Sequence, residues 1–365
     1  MTNRLLPALS ILVVILVFIT CVQEIDFSKE NTGQNTLVVS GTFTDGPGPH
    51  ILRLTRPGNI DKQAFKPVPG ALVSLSDDQG NRYDYQEILS LSDTTLFYQL
   101  DNVQGIAGRE YQIEIRLPDG ETYRSRPEKM PQRVLIDSVA VRAEYFTSIN
   151  ANGTIVKEPF AYLYAHTTSP AQTTGNYLRW DAEAVYIFNE VLKIYHPIPP
   201  PQKQCFIPNR LSDQLVPLAD LNIYQPGAAI ITQVGKRRID RSFEHRIGFL
   251  VHQRAISREA YEYWQKIGQL ISPTGTIFDV PPARVYGNVE NETDPDRPAL
   301  GYFEVSAVDT ARVFTRNGLL GDDFLLQVNP YCNYDWSKWP PVNHPECDNC
   351  LLLEGSTLQK PEWWE

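Results

Sequence analysis

The sequence predicts a mainly β protein: an N-terminal immunoglobulin-like or transthyretin-like β-sandwich over residues 36–130, then a larger β-rich domain over 131–365 with one prominent helix at about 257–271. Two patterns carry that expectation. Short runs alternating with period two recur between turn clusters rich in Gly, Pro and Asp, the signature of a sandwich. A single segment shows the i, i+3, i+4, i+7 apolar spacing of an amphipathic helix.

The first strand signal is Leu37-Val38-Val39-Ser40-Gly41-Thr42-Phe43, stopped by Asp45-Gly46-Pro47-Gly48. His50 to Thr55 alternates cleanly, and Ala71 to Ser76 forms a third run ending at Asp77-Asp78-Gln79-Gly80. Tyr111 to Leu117, the turn Pro118-Asp119-Gly120 and the return run Glu121 to Ser125 read as a hairpin. Met130-Pro131-Gln132 marks the expected domain boundary. Beyond it, strand-like runs recur at 134–139, 160–166, 177–188, 243–252 and 300–307. The helix starts at Ser257, a good N-cap, with Glu259 favourably placed in the first turn. Ala260, Tyr263, Trp264, Ile267, Leu270 and Ile271 make its apolar face, and Ser272-Pro273 ends it. From Asn329 onward the chain is loop-rich.

The first twenty residues place the rest. Arg4 precedes a nearly continuous aliphatic run from Leu5 to Ile19, which stops at Thr20-Cys21. About fifteen residues span roughly 22 Å as a helix, short of a bilayer core of roughly 30 Å. That length suits a signal-peptide h-region. A cysteine directly after it, in Phe18-Ile19-Thr20-Cys21, reads as a lipobox. Residues 1–20 are then a lipoprotein signal peptide, Cys21 the lipidated residue, and 21–35 a polar linker. Two or three acyl chains anchor stably, at about 0.8 kcal/mol per buried CH₂.

Formal charge is −10, and loss of Arg4 with the leader leaves about −11. An acidic chain without a basic stripe is a poor nucleic-acid binder. The remaining cysteines, Cys205, Cys332, Cys347 and Cys350, read as two disulfides in one of three connectivities. His344-x₂-Cys347-x₂-Cys350 with Cys332 nearby has zinc-like spacing, but an oxidising compartment favours disulfides. No HExxH, GxSxG, P-loop or dinucleotide fingerprint occurs, so no catalytic residue, metal or cofactor is assigned and the expectation is a non-enzyme. Asp77-Asp78 and Asp322-Asp323 sit beside turns without EF-hand spacing. Most aromatic rings are expected to fill the core. Trp336, Trp339, Trp363 and Trp364, in polar, proline-rich sequence, are the candidate exposed binding aromatics.

Several motifs in this order resemble the DUF4249 family of Bacteroidota lipoproteins, a domain of unknown function. They are Cys21-x-x-Glu24-Ile25-Asp26, Pro69-Gly70-Ala71-x-Val73, Gly108-x-x-Tyr111, Asp119-Gly120-x-x-Tyr123 and Ile136-Asp137-Ser138-Val139. The 257–264 helix, Gly287-Asn288, Gly301-Tyr302-Phe303, Cys347-x-x-Cys350 and Lys360-Pro361-x-Trp363 continue the series. The resemblance implies an outer-membrane lipoprotein encoded beside TonB-dependent transporters, and supplies no catalytic residue. Glu24 and Asp26 are similar to the export signals that place such lipoproteins on the cell surface. The expected function is therefore an accessory to a TonB-dependent, SusC-like β-barrel, binding or admitting a nutrient ligand. A structural, assembly or adhesive lipoprotein and an extracellular hydrolase are the alternatives.

Intact-mass analysis of the native protein should find a chain beginning at acylated Cys21, with Cys21→Ser lost from the membrane fraction; an unmodified N-terminus still joined to its leader refutes the anchor.

Overall fold

The computed structural model describes residues 36–58, 65–90, 95–150, 152–171, 177–191, 201–211, 216–271, 285–315, 332 and 344–364. The first part of the chain forms β1 (Val38–Thr44), β2 (His50–Pro57), β3 (Phe65–Pro67), β4 (Leu72–Asp77), β5 (Arg82–Asp84), β6 (Gln86–Leu89), β7 (Leu96–Leu100), β8 (Glu110–Arg116), β9 (Thr122–Ser125) and β10 (Glu128–Lys129). The second part forms β11 (Ser138–Ile149), β12 (Ile155–Thr168), β13 (Tyr177–Asn189), β14 (Gln204–Arg210), β15 (Leu218–Asp220), β16 (Ala229–Arg238) and β17 (Ile247–Ile256). Helix α1 (Arg258–Ile271), β18 (Val289–Asn291), β19 (Leu300–Phe314) and the short α2 (Pro345–Asp348) complete it. The protein is mainly β with one prominent helix, as its patterning predicts. Among the described residues no helix is long and apolar enough to cross a membrane.

Among the described residues three sheets carry the fold. A ten-stranded sheet runs β14-β13-β17-β19-β1-β2-β7-β6, with β15 added on β13 and β3 on β2. A second sheet runs β18-β9-β8-β4-β5, with β10 on β8, and a third is β11-β12-β16. Phe43 of β1 meets Tyr111 of β8 at 4.8 Å between ring centroids, so the first two sheets face each other as a sandwich. The hairpin read at Pro118-Asp119-Gly120 forms between β8 and β9, with Gly120 N–H donating to the Leu117 carbonyl.

The boundary expected at residue 130 divides the chain but not the sheets. β1 pairs in parallel with β19, from Val38 opposite Leu300 to Thr44 opposite Ser306. β18 adds to the second sheet through β9. One apolar core therefore runs from Leu37 and Ile113 through Trp180 and Val251 to Phe303. A parallel partner more than 250 residues away leaves no local mark, because no turn joins the two strands.

The third sheet closes a second sandwich over β13 and β17. Gln253, fully buried, ties it together. Its Oε1 accepts from Thr167 Oγ1 at 2.5 Å and from Trp180 Nε1 at 2.9 Å, while Nε2 donates to the Val134 carbonyl at 2.8 Å. A buried amide with every polar atom partnered fixes register where aliphatic contacts alone would slide.

All four described cysteines pair, Cys205 with Cys350 and Cys332 with Cys347, so none is left as a zinc thiolate. Closing loops of 145 and 15 residues constrains the unfolded chain by about 5 and 3 kcal/mol on the chain-entropy estimate. The tail lies along β14, where Phe206 and Thr357 exchange backbone hydrogen bonds. That docking corrects the expectation for Trp364. Its ring is buried against Val185, Phe206 and Phe314, and Trp363 is half-buried beside Phe314. Sequence polarity around the pair reflects the tail's outer side; the inner side is held down by Cys350.

The parallel junction depends on two glycines. Gly301 has φ +83°, and a Cβ there would fall 2.0 Å from the Val39 carbonyl oxygen; one on Gly287 would fall 1.6 Å from that of Gly301. Gly80, at φ +81°, has nothing within 4 Å. By chemical denaturation Gly80→Ala should cost about 1 kcal/mol from backbone strain alone, and Gly301→Ala about 2–4 kcal/mol because a clash is added. Equal costs would show that the junction tolerates a wider spacing.

Candidate functional site

Alternation along the central strands sorts side chains onto two faces. On β13, Leu178, Trp180 and Ala182 point into the core, so Arg179, Asp181 and Glu183 share the opposite face. On β17, Val251, Gln253 and Ala255 point inward and His252 and Arg254 outward. Register then places Arg179 opposite Arg254 and Asp181 opposite His252, with Thr310 of β19 beyond His252. Two like charges directly opposite each other repel. Carboxylates resolve the conflict. Asp181 accepts from Arg254 Nε at 2.9 Å, and Glu304 of β19 takes a fork from Arg179 Nε and Nη2 at 3.0 and 3.1 Å.

Helix α1 covers one end of this face. Ser257 Oγ accepts the Ala260 N–H at 3.1 Å, the N-cap that the sequence indicates. Trp264 stacks 4.5 Å from the Arg179 guanidinium and donates through Nε1 to Glu304 at 2.7 Å. The apolar stripe is thus incomplete as a core stripe, since Trp264 serves the charged face. Burial works to raise the carboxyl of Glu304, but the Arg179 and Arg254 guanidiniums outweigh it and hold that carboxyl below its usual range. At Asp181 burial is again outweighed, by Arg254 and Arg179, and the pKa lies at about 2. Burial lowers the His252 imidazole against the pull of Asp181, so it is neutral near pH 7.

A cavity of about 850 Å³ opens over this face. Its wall includes Arg179, Asp181, His252, Arg254 and Trp264, with Arg53 of β2 and the hydroxyls of Ser40, Thr42 and Thr310. Arg53 is exposed and makes no ion pair among the described residues. Arg254 spends only its Nε on Asp181 among the described hydrogen bonds, which leaves guanidinium donors toward the cavity. A buried ion pair contributes little net stability once desolvation is counted. What these pairs do provide is orientation: each carboxylate fixes a guanidinium in one geometry.

Beneath the helix N-terminus lies a second polar cluster. Glu128 of β10 is only 5% exposed. It accepts from Val305 N–H at 3.2 Å, Asn288 Nδ2 at 3.3 Å, Ser257 Oγ at 3.4 Å and the Tyr302 hydroxyl. Burial raises its pKa to about 7, although Tyr302 and the Val305 N–H pull the other way.

A profile of the family described as Domain of unknown function (DUF4249) matches residues 22–312. The chain belongs to the DUF4249 family. No curated protein matches it. The matched span begins one residue after Cys21 and covers β1 through nearly all of β19, hence the whole cleft. Of the DUF4249 chain's sequence-indicated sites, Cys21, Glu24, Asp26, Trp336 and Trp339 lie outside the described residues, as does Asp322-Asp323. Asp77 caps a turn, accepting from the Gln79 and Asn81 N–H groups. Arg179, Asp181, Arg254, Glu304 and Glu128 escaped sequence reading. Their only signal, charges alternating with apolar residues, is also that of an ordinary solvated strand face.

Asp181 stability is complete above its ordinary pKa of 3.8 and drains as pH falls toward 2, a loss of about 2 kcal/mol. Glu128 runs the other way: folding favours its proton, so ionisation erodes stability as pH rises from 4.5 to about 7. Urea titrations should find Glu128→Gln more stable than wild type at pH 8 by about 1–3 kcal/mol and equal to it near pH 4.5. A constant offset at both pH values would contradict the assignment.

Proposed function

We propose that this DUF4249 protein is a lipid-anchored lipoprotein of the outer membrane, exposed at the cell surface, that captures a small polar solute and serves as accessory to a TonB-dependent β-barrel transporter. One observation carries the capture: the cleft over β13, β17 and β19, where arginines are pre-oriented by buried carboxylates beside a tryptophan and several hydroxyls. Its volume falls in the range of small-molecule sites, and its charged wall suits a polar, hydrogen-bonding solute rather than an apolar one. Orientation before binding removes part of the entropy cost of association. The anchor and the transporter follow from the signal-like N-terminus and the family context.

The hydrolase alternative has less support. Asp181 and Glu304 are committed to arginines and held ionised, whereas glycoside hydrolysis needs a carboxyl proton donor beside the substrate. Glu128 holds a proton more readily, but it is not part of the cleft wall. An adhesive or assembly role draws on another feature. Beyond the last residue paired with β16, β11 and β12 continue as a two-stranded arm exposing Tyr145, Phe146, Ile149 and Ile155.

Mild-detergent extraction of the native membrane should recover the protein with a large β-barrel. A thermal-shift panel of disaccharides, dicarboxylates and tripeptides should contain a stabilising solute whose affinity falls at least about tenfold in Arg254→Ala and in Trp264→Ala. Unchanged affinity in both variants would remove the cleft as the site.

A further inference from the structure

Among the described residues, the ionic groups on the cleft wall cancel in pairs, with two exceptions. Arg179 is gripped by Glu304, and Arg254 by Asp181. Arg133 gives Nε and Nη2 to Asp45 at 2.9 and 2.8 Å, and the other Asp45 oxygen accepts the Val308 N–H at 2.8 Å. Left over are Arg53 on β2 and Glu183 on β13, neither with a described hydrogen bond or ion pair. The strand order β13-β17-β19-β1-β2 puts four strand intervals between them, roughly 19 Å across the sheet. That exceeds a Debye length of about 8 Å, so Glu183 does not neutralise Arg53.

The surroundings of Arg53 are donors without partners. Ser40 of β1 is its direct cross-strand neighbour, and Thr42 is the next residue of β1 on the same face. Both line the cavity, and among the described residues neither hydroxyl is hydrogen-bonded. Cross-strand Cβ atoms stand about 5 Å apart, so a group held by the guanidinium lies within reach of the Ser40 hydroxyl. The acid nearest in register is Glu304, opposite Thr42 across the parallel ladder. Its carboxylate is already taken by Arg179 and Trp264. An unpaired arginine on an open strand face would be an ordinary solvated charge. This one stands in a concave wall whose other arginines are matched, in a chain of net charge −10. Low-dielectric walls focus the field of such a charge into the cleft.

We infer that Arg53 determines the specificity of the cleft: the solute carries an oxyanion (carboxylate, sulfate or phosphate), which Arg53 receives beside the Ser40 and Thr42 hydroxyls. The inference rests on the reading that the cleft captures a solute. A planar guanidinium presents two parallel N–H groups that match the paired oxygens of such an anion. Arg254 still offers donors, but its charge is spent on Asp181, so it supplies hydrogen bonds without selecting for charge. A neutral solute leaves Arg53 unanswered, and a cationic one is repelled by it.

Calorimetric titration of the full mature chain with matched pairs of solutes tests this. The pairs are a tripeptide and its C-terminal amide, a dicarboxylate and its diamide, and a disaccharide with its monosulfate and monophosphate esters, so the arms also separate the three oxyanions. In at least one pair the anionic member should bind about tenfold tighter, with the gap narrowing between about 50 and about 300 mM salt. Arg53→Gln should erase the gap, and Arg53→Lys, which keeps the charge but loses the fork, should retain part of it. The gap is a ratio within one preparation, so a partly folded variant weakens both members and leaves it intact. Members that bind alike in every pair, or a gap that survives in Arg53→Gln, overturn the inference. The capture reading then stands as long as affinity still depends on Arg254 and Trp264. No binding by any solute, or affinity indifferent to Arg254→Ala and Trp264→Ala, sinks the capture reading itself and this inference with it.

Discussion

The parallel ladder between β1 and β19 is the constraint on which the rest of the molecule depends. It is the only direct pairing within the large sheet between the first and second parts of the chain among the described strands, and it turns two half-sheets into one. Closing a loop of more than 250 residues costs chain entropy, though only slowly with length. The return is a continuous apolar core in which Leu37, Val39 and Phe43 on one side and Phe303, Val305 and Ala307 on the other leave water together. Each large buried aliphatic or aromatic side chain there contributes about 1.5–3 kcal/mol. Gly287 and Gly301 are present because the backbones approach more closely than any Cβ permits.

That ladder also sets the chemistry. β19 carries Tyr302 and Glu304 on the face away from the core, and its position between β1 and β17 delivers the second to Arg179 and the first to Glu128. The charged face is a network in which no arginine of β13 or β17 is left with only an arginine opposite. Replacing such pairs by apolar residues would often cost nothing in stability. Their retention on the floor of a cavity is better explained by geometry, since a guanidinium gripped by a carboxylate presents its remaining donors in one direction. Helix α1 belongs to the same network, capped by Ser257 and held at Trp264, rather than only to the hydrophobic core.

The tail follows a different logic. Two disulfides and the edge pairing with β14 hold a segment poor in regular structure against Phe188, Ile207 and Phe206. The split of Cys347 and Cys350 between two partners, rather than to each other, is what turns that segment into a staple. Trp364 then fills a gap that β13, β14 and β19 leave open, as a core residue supplied by the last turn of the chain.

By itself the sequence determined the class of the protein: strands from period-two runs, turns from Gly, Pro and Asp, and the helix with its cap and its end. These are local properties, decided by φ/ψ preferences and by which side of an element meets water. The hairpin between β8 and β9 and the Ser257 cap were legible for that reason. Only the tertiary structure decided that residues 36–130 and the remainder share one sheet, that Cys205 pairs with Cys350, and that Trp364 is buried. The cleft belongs with these. Arg179, Arg254, Glu304 and Trp264 lie on three strands and a helix, each an unremarkable charged or aromatic residue in its own segment. Charge complementarity acts through space over a few ångströms, and which residues come that close is settled by strand order, which leaves no periodicity in the chain.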